Sequence, residues 1–411
     1  VRRVVVFDFI LGCSMSELTL SSLAQNLVGS SAVDNQRRAK QLASQGVEIF
    51  DLGIGEPDGD SPEVVKQAAV VAINRGESHY VDPRGLEALR EKIANFEWRC
   101  HGLRIDPSQI VVTVGSLGAL SLAFRTLLDA NDEVLILEPF WGPYANMIKL
   151  FGAKPVVIPA VEVGGVLLPD FVALEKSITE RSKLVILNSP NNPSGKVWSM
   201  PELQKLGALC EKHNIWIVSD EVYSELVYDP VKHLSVATLS PTIAARTIVA
   251  TSVSKSFAMT GWRLGYCIAA PEVAVVLAKI NHYSVRCAAT VSQWAALAAF
   301  DHYEELLGEM RARYAKRCDL VEKLFAKYPD FQFIKPEGTF YAFVKVPSYI
   351  DDVEIFVKRL LEEKGVVVSA GKAYGQSSRR FIRLSFATND LVIEGGITRI
   401  GDLANQIKNK Q

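Results

Sequence analysis

Ile110-Val111-Val112-Thr113 is a run of β-branched residues. Gly115-Ser116 follows, then a helical pattern from about Leu117 to Leu128, then the strand-like Glu133-Val134-Leu135-Ile136-Leu137. The same alternation continues along the chain. Apolar runs recur at Pro155 to Ile158, Leu184 to Leu187, Ile215 to Val218, Thr247 to Ala250 and Leu264 to Ala269, and helical stretches such as Pro201 to His213 separate most of them. Short, continuous apolar strands alternating with helices predict an α/β fold, with a buried, mostly parallel sheet and helices on both faces. From Thr290 to Lys327 the pattern is helical almost throughout, long enough to link two domains. Beyond it, strands (Phe340 to Val344, Val366 to Ser369, Phe381 to Phe386) mix with helices (Asp352 to Glu363, Leu391 to Ile407), as in a smaller α/β domain. The expected division is a large domain over residues 60–300 and a small one over 301–411. The N-terminal segment, 15–59, is expected to pack with the small domain.

The 411 residues are 48% hydrophobic and 22% charged, the make-up of a globular protein of two or three domains. Forty-five Lys+Arg against 46 Asp+Glu give a net charge of −1, so neither nucleic acid nor an anionic membrane has a global electrostatic hold on the chain. No apolar run has the length of a bilayer span. Cys13, Cys100, Cys210, Cys267, Cys287 and Cys318 form no C-x-x-C pair, which reads as scattered reduced thiols in a cytoplasmic protein. Val1 to Cys13 imitates a short signal peptide, but Asp8 interrupts its apolar part. The expectation is an upstream extension over residues 1–14, with the folded chain beginning near Met15.

Open parallel sheets bind ligands beyond the carboxyl ends of their strands. Reading on from each strand gives Gly115-Ser116-Leu117, Asn188 to Gly195, Ser219-Asp220-Glu221-Val222-Tyr223 and Thr251-Ser252-Val253-Ser254-Lys255, with Arg263 eight residues after Lys255. Amides, a carboxylate, a phenol, hydroxyls and an amine therefore share one rim. A helix start with free N–H groups suits a phosphate, and Ser252, Ser254 and Arg263 add donors. Lys255 has the amine for an imine bond to a carbonyl ligand, and Asp220 the charge to pair with a protonated ring nitrogen. Together these groups suit pyridoxal phosphate.

Ser252-Val253-Ser254-Lys255-Ser256-Phe257-Ala258-Met259-Thr260-Gly261-Trp262-Arg263-Leu264-Gly265-Tyr266 resembles the lysine motif of the class I/II aminotransferases of fold type I, in the bacterial-type branch that contains aspartate aminotransferases. The resemblance runs from about Leu52 to near the C-terminus. It includes Gly55-Glu56-Pro57-Asp58, Tyr80, Asn192-Pro193-Ser194-Gly195, Asp220-Glu221-Val222-Tyr223, Pro336-Glu337-Gly338-Thr339-Phe340-Tyr341 and Arg383-Leu384-Ser385-Phe386, in the family's order. Gly59 departs from it, standing where an aromatic residue is often found.

The resemblance implies a transfer of an amino group from an L-amino acid to a 2-oxo acid, with 2-oxoglutarate expected, by a ping-pong mechanism. It implies that Lys255 holds the cofactor and moves the substrate proton, that Asp220 pairs with the pyridine nitrogen, and that Tyr223 and Asn192 bond its phenolic oxygen. The Ser116 and Leu117 amides, with Ser252, Ser254 and Arg263, are implied to take the phosphate, and Trp141 to stack on the ring. Arg383, with the Gly55 backbone and Asn192, is implied to bind the substrate carboxylate. Tyr80 is implied to reach the phosphate of a second subunit, in a homodimer with shared sites. Arg286 lies where some relatives recognise the substrate side chain.

Two other functions stay open at this level. A carbon–sulfur β-lyase or related enzyme of the same fold would use the same lysine, and a non-catalytic regulatory protein could keep the cofactor. A dinucleotide or P-loop fingerprint and a metal-ligand cluster are missing from the sequence.

Overall fold

A computed structural model describes residues 19–410 apart from 28 and 30. The extension expected over 1–14, the start near Met15 and Cys13 lie outside the described residues. Among the described residues the main sheet has seven strands: β1 (Ile110–Thr113), β2 (Glu133–Leu137), β3 (Lys154–Ile158), β4 (Ser182–Asn188), β5 (Trp216–Asp220), β6 (Thr247–Ser252) and β7 (Gly265–Ile268). Their order is β1-β7-β6-β5-β4-β2-β3. All neighbours run parallel except β7, which is antiparallel to both β1 and β6.

The continuous apolar runs arise because each face of this sheet is covered. Successive side chains alternate between faces. Ile110 and Val112 therefore enter one core with Val249, while Val111 enters another with Ile248 and Ala250. The strands β1, β2, β6 and β7 are buried along their whole length.

A second sheet, β8 (Tyr341–Lys345), β9 (Ser369–Ala370) and β10 (Phe381–Ser385), is antiparallel in the order β8-β10-β9. It shares its core with the helices Val353–Lys364 and Asp390–Lys408. Asp352 and Asn389 cap these helices by accepting from the Ile355 and Val392 amides. Phe50–Asp51 pairs with Val366–Val367, and Ala39 and Leu42 of the helix Ser31–Ser44 pack on Leu361 and Val367.

Two expectations are refined. The helical stretch after Thr290 is two helices, Thr290–Asp301 and Tyr303–Phe325, broken at His302 (φ −115°, ψ 21°). The apolar run from Val366 to Ser369 is not one strand. Val366–Val367 pairs with Phe50–Asp51 and Ser369–Ala370 pairs with β10, so one segment serves two sheets. No described helix is long and apolar enough to cross a membrane.

Because β7 is reversed, its first residue stands at the edge where its neighbours end. Gly265 lies opposite both Ser252 and Thr113. Asn188 lies opposite Asp220, and Asp220 opposite Ala250. The segments that follow β1, β4, β5 and β6, and the one that precedes β7, therefore meet on one rim.

Candidate active site

The rim encloses a cavity of about 540 Å³, within the usual range for small-molecule sites. Its lining brings together Gly55, Ser116, Leu117, Trp141, Asn192, Asp220, Tyr223, Ser254, Lys255, Arg263 and Arg383 from distant parts of the sequence.

Lys255 sits in the short helix Val253–Ser256, immediately after β6. Its amine donates to the Gly55 carbonyl at 2.6 Å. Burial drives its pKa down to about 8. Glu56 opposes that shift, and the Arg263 and Arg383 cations add to it. An amine so placed is partly neutral near neutral pH and is a competent nucleophile.

Asp220, the last residue of β5, is 4% exposed. Its carboxylate accepts from the Tyr144 hydroxyl at 2.5 Å and from the Val222 amide at 3.3 Å. Desolvation still raises its pKa to about 6, over the opposing pull of the Tyr144 hydrogen bond. The loop beyond it is pinned from behind. Glu221 accepts from the Ser219 and Ser235 hydroxyls and pairs with His233 at 3.0 Å. Glu225 pairs with His101 at 2.7 Å and with Arg311 of the helix Tyr303–Phe325.

Tyr223 is buried, and its hydroxyl lies 2.9 Å from that of Tyr341 on β8. Burial and the neighbouring phenol hold its pKa well above the usual value. Tyr341 also explains Gly55, because a Cβ there would collide with the Tyr341 hydroxyl.

Gly115 opens the helix Gly115–Leu127 with a φ of 70°. Its missing side chain admits Arg263, since a Cβ would stand 2.7 Å from Arg263 Nη2. Arg263 itself is left-handed (φ 51°) and donates to the Thr260 carbonyl at 2.7 Å. A guanidinium against the unpaired amides of a helix start makes an anion seat.

Arg383, in the middle of β10, is 6% exposed. It donates to Asn192 Oδ1 at 3.2 Å and to the Gly53 carbonyl at 2.8 Å. Its guanidinium lies 4.3 Å from the Tyr341 ring centre and 5.3 Å from that of Tyr374. The Nε donor is buried without a partner, a vacancy in hydrogen bonding that a ligand carboxylate would satisfy.

Two expected residues stand apart. Ser252 does not line the cavity; its Oγ accepts from the Ser254 amide at 3.3 Å and caps the helix that carries Lys255. Tyr80 is 77% exposed, and Arg286 stacks over its ring at 5.3 Å, outside the cavity. Tyr144, Tyr341, Asn188 and Gly53 were not singled out from the sequence. Tyr341 lay within a quoted motif, and Tyr144 lies one helical turn past Trp141, with the two rings edge-on at 5.3 Å. Among the described residues no group of potential metal ligands occurs.

These residues fit pyridoxal phosphate: a buried amine of lowered proton affinity, a buried carboxylate and an anion seat face one cavity. A family model described as aminotransferase class I and II matches residues 47–400. The chain is 35% identical to an aspartate aminotransferase of Geobacillus stearothermophilus over 389 residues, 93% of this chain and 98% of that one. It is 36% identical to an aromatic-amino-acid aminotransferase of Thermococcus litoralis over 370 residues, covering 89% and 94% of the two chains. The solved structure of aspartate aminotransferase from Thermus thermophilus with maleate superposes with a TM-score of 0.88 at 33% identity, over 94% of this chain and 100% of that one.

Proposed function

The chain belongs to the class I and II aminotransferase family and is an aminotransferase that uses pyridoxal phosphate to move an amino group between amino acids and 2-oxo acids; we propose that Lys255, Asp220, Tyr223, Asn192, Arg263 and Arg383 carry that activity. Bound in the cavity, the cofactor supplies an aldehyde that condenses with amines and a ring that accepts the electron pair left at the substrate α-carbon.

The protein does the rest. Lys255 would hold the cofactor through its amine, and the same amine, when free, would move the proton of the substrate α-carbon. Asp220, kept dry and held by Tyr144, would pair with the ring nitrogen and favour its protonated form. Asn192 accepts from Arg383 through its amide oxygen, so its Nδ2 and the Tyr223 hydroxyl are the donors that would meet the cofactor's phenolic oxygen. Tyr341 fixes Tyr223 through the hydroxyl pair.

The Ser116 and Leu117 amides, Arg263 and Ser254 take the phosphate, with Ser252 shaping the turn. Trp141, in the cavity lining, would offer its aromatic face to the ring. Arg383 would present a planar fork to the substrate carboxylate and so orient the substrate. Gly53 and Asn192 hold that fork in place.

We further propose a large domain over 60–300, and a small one over 301–411 joined by 15–59. The active form is a homodimer, in which the exposed Tyr80 serves the site of a second copy.

One observation carries the assignment: an amine and a carboxylate with pKa values of about 8 and about 6, both displaced by burial, line the same cavity. Borohydride reduction followed by peptide mapping should label Lys255. Lys255→Ala should lose both turnover and the visible absorption of bound cofactor while its circular dichroism stays native. Wild-type turnover by that variant would overturn the role given to the lysine.

A further inference from the structure

Glu138 is a buried carboxylate that does not line the cavity. It follows β2 directly and is 5% exposed. Its Oε1 accepts from the Gln376 amide at 2.7 Å and its Oε2 from the Ser377 amide at 2.9 Å. Burying a carboxylate is costly unless its oxygens are met, and two backbone donors meet them here. Both donors lie in the loop that links β9 to β10. The Phe140 amide donates to the Tyr374 carbonyl of the same loop at 3.1 Å, and the Ala160 amide to Ser377 Oγ at 3.0 Å. The chain is shaped for this junction. Gly375 has a φ of 118°, and a Cβ there would collide with the Glu138 carboxylate. A Cβ on Gly142 would stand 2.8 Å from the Ala373 carbonyl oxygen.

Tyr374 is the side chain that this loop delivers to the site. It is buried, its ring centre lies 5.3 Å from the Arg383 guanidinium, and it packs edge-on against Phe343 at 5.9 Å. Asn192 and the Gly53 carbonyl hold the guanidinium through hydrogen bonds, while Tyr341 and Tyr374 attract it through their rings. The bond from Phe140 reaches Tyr374 itself, and the bonds to Glu138 come two and three residues later. The place of the Tyr374 ring is therefore set from the end of β2 as well as from β10.

Resting on the role given above to Arg383, we propose that Glu138 is a positioning residue for the substrate carboxylate: by holding the Gln376 and Ser377 amides it keeps the Tyr374 ring against Arg383. It acts through that ring.

The test uses the holoenzyme and two carboxylates that cannot be transaminated, 3-phenylpropionate and succinate, with binding read by calorimetry. Glu138→Gln keeps the shape of the side chain but has a single acceptor, so one of the two amides loses its partner. It should weaken the tighter of the two ligands about tenfold, the effect of a small displacement of a binding group. Michaelis constants for amino and oxo acids should rise in step, while kcat stays within about twofold. The visible absorption of bound cofactor should not change, because Lys255 and Arg263 are carried by the connection between β6 and β7. The direction separates position from charge. Removing a negative charge near a cationic site draws a carboxylate in more tightly, so weaker binding is the mark of lost position. Tyr374→Leu should weaken binding by a similar factor, and adding Glu138→Gln to it should cost nothing more. Should Tyr374→Leu fail to fold, Glu138→Gln alone decides. Arg383→Lys is measured in parallel. If it weakens binding while Glu138→Gln leaves binding unchanged or tighter, or if the losses add in the double variant, the proposal is overturned and the role of Arg383 stands. If Arg383→Lys binds both carboxylates as the unaltered enzyme does, the role of Arg383 has failed and the proposal falls with it.

Discussion

Asp220→Asn should make the cofactor-free protein more stable while removing most of its activity. In the fold the carboxyl is dry, and its pKa rises from the ordinary 3.8 to about 6. A folded-state pKa above the unfolded one means that stability is fully present below about pH 4 and is lost as the pH rises through about 6. Roughly 2 units at 1.36 kcal/mol each set the loss at ~3 kcal/mol at pH 8. The amide of the variant carries no charge and its single oxygen keeps Tyr144 paired, while the longer bond from the Val222 amide is given up, which trims the gain. Urea unfolding of the cofactor-free proteins is the assay. The variant should lead by up to ~3 kcal/mol at pH 8, with the lead shrinking to zero or below near pH 4. Turnover should fall on the order of 10²- to 10³-fold, as for other fixed charges in dry sites. Equal stability at pH 8, or a variant that leads by the same amount at both pH values, would refute the reasoning.

Two further outcomes follow from the geometry. Arg383→Lys keeps the charge but loses the fork; Michaelis constants for amino and oxo acids should rise about 10- to 100-fold, the loss of one hydrogen bond to a charged group, and unchanged constants would show that another group holds the carboxylate. Gly265→Ala sets a Cβ 2.6 Å from Gly115 C and 2.6 Å from the Thr251 carbonyl, backbone on both sides; it should cost about 1–3 kcal/mol in unfolding experiments and weaken cofactor affinity, whereas native affinity would mean that the phosphate seat lies elsewhere.

The main sheet was legible because a strand buried on both faces is apolar throughout, as in Ile110–Thr113 and Glu133–Leu137. Direction was not legible. Leu264 to Ala269 reads the same either way, and only pairing reveals that β7 is reversed. The hairpin Ala160–Val163 with Val166–Pro169 passed unread, although Gly164-Gly165, at φ 60° and 87°, is the kind of pair that a two-residue turn requires. In the site, groups that act chemically stood out because an amine or carboxylate after a strand is unusual. Supporting groups did not stand out. Tyr144 and Tyr341 are ordinary aromatic residues until the fold sets them against Asp220 and Tyr223.

The reversal of β7 has a mechanical meaning. Lys255 and Arg263 both lie in the one connection, residues 253–264, that joins two neighbouring antiparallel strands, so both grips on the cofactor ride on a single excursion of the seven-stranded sheet. Arg383 rides on the other sheet. Sliding one sheet past the other would shift the substrate's handhold, and would be felt at the cofactor through the Tyr341–Tyr223 and Arg383–Asn192 contacts, while the lysine and the phosphate arginine keep their positions relative to each other.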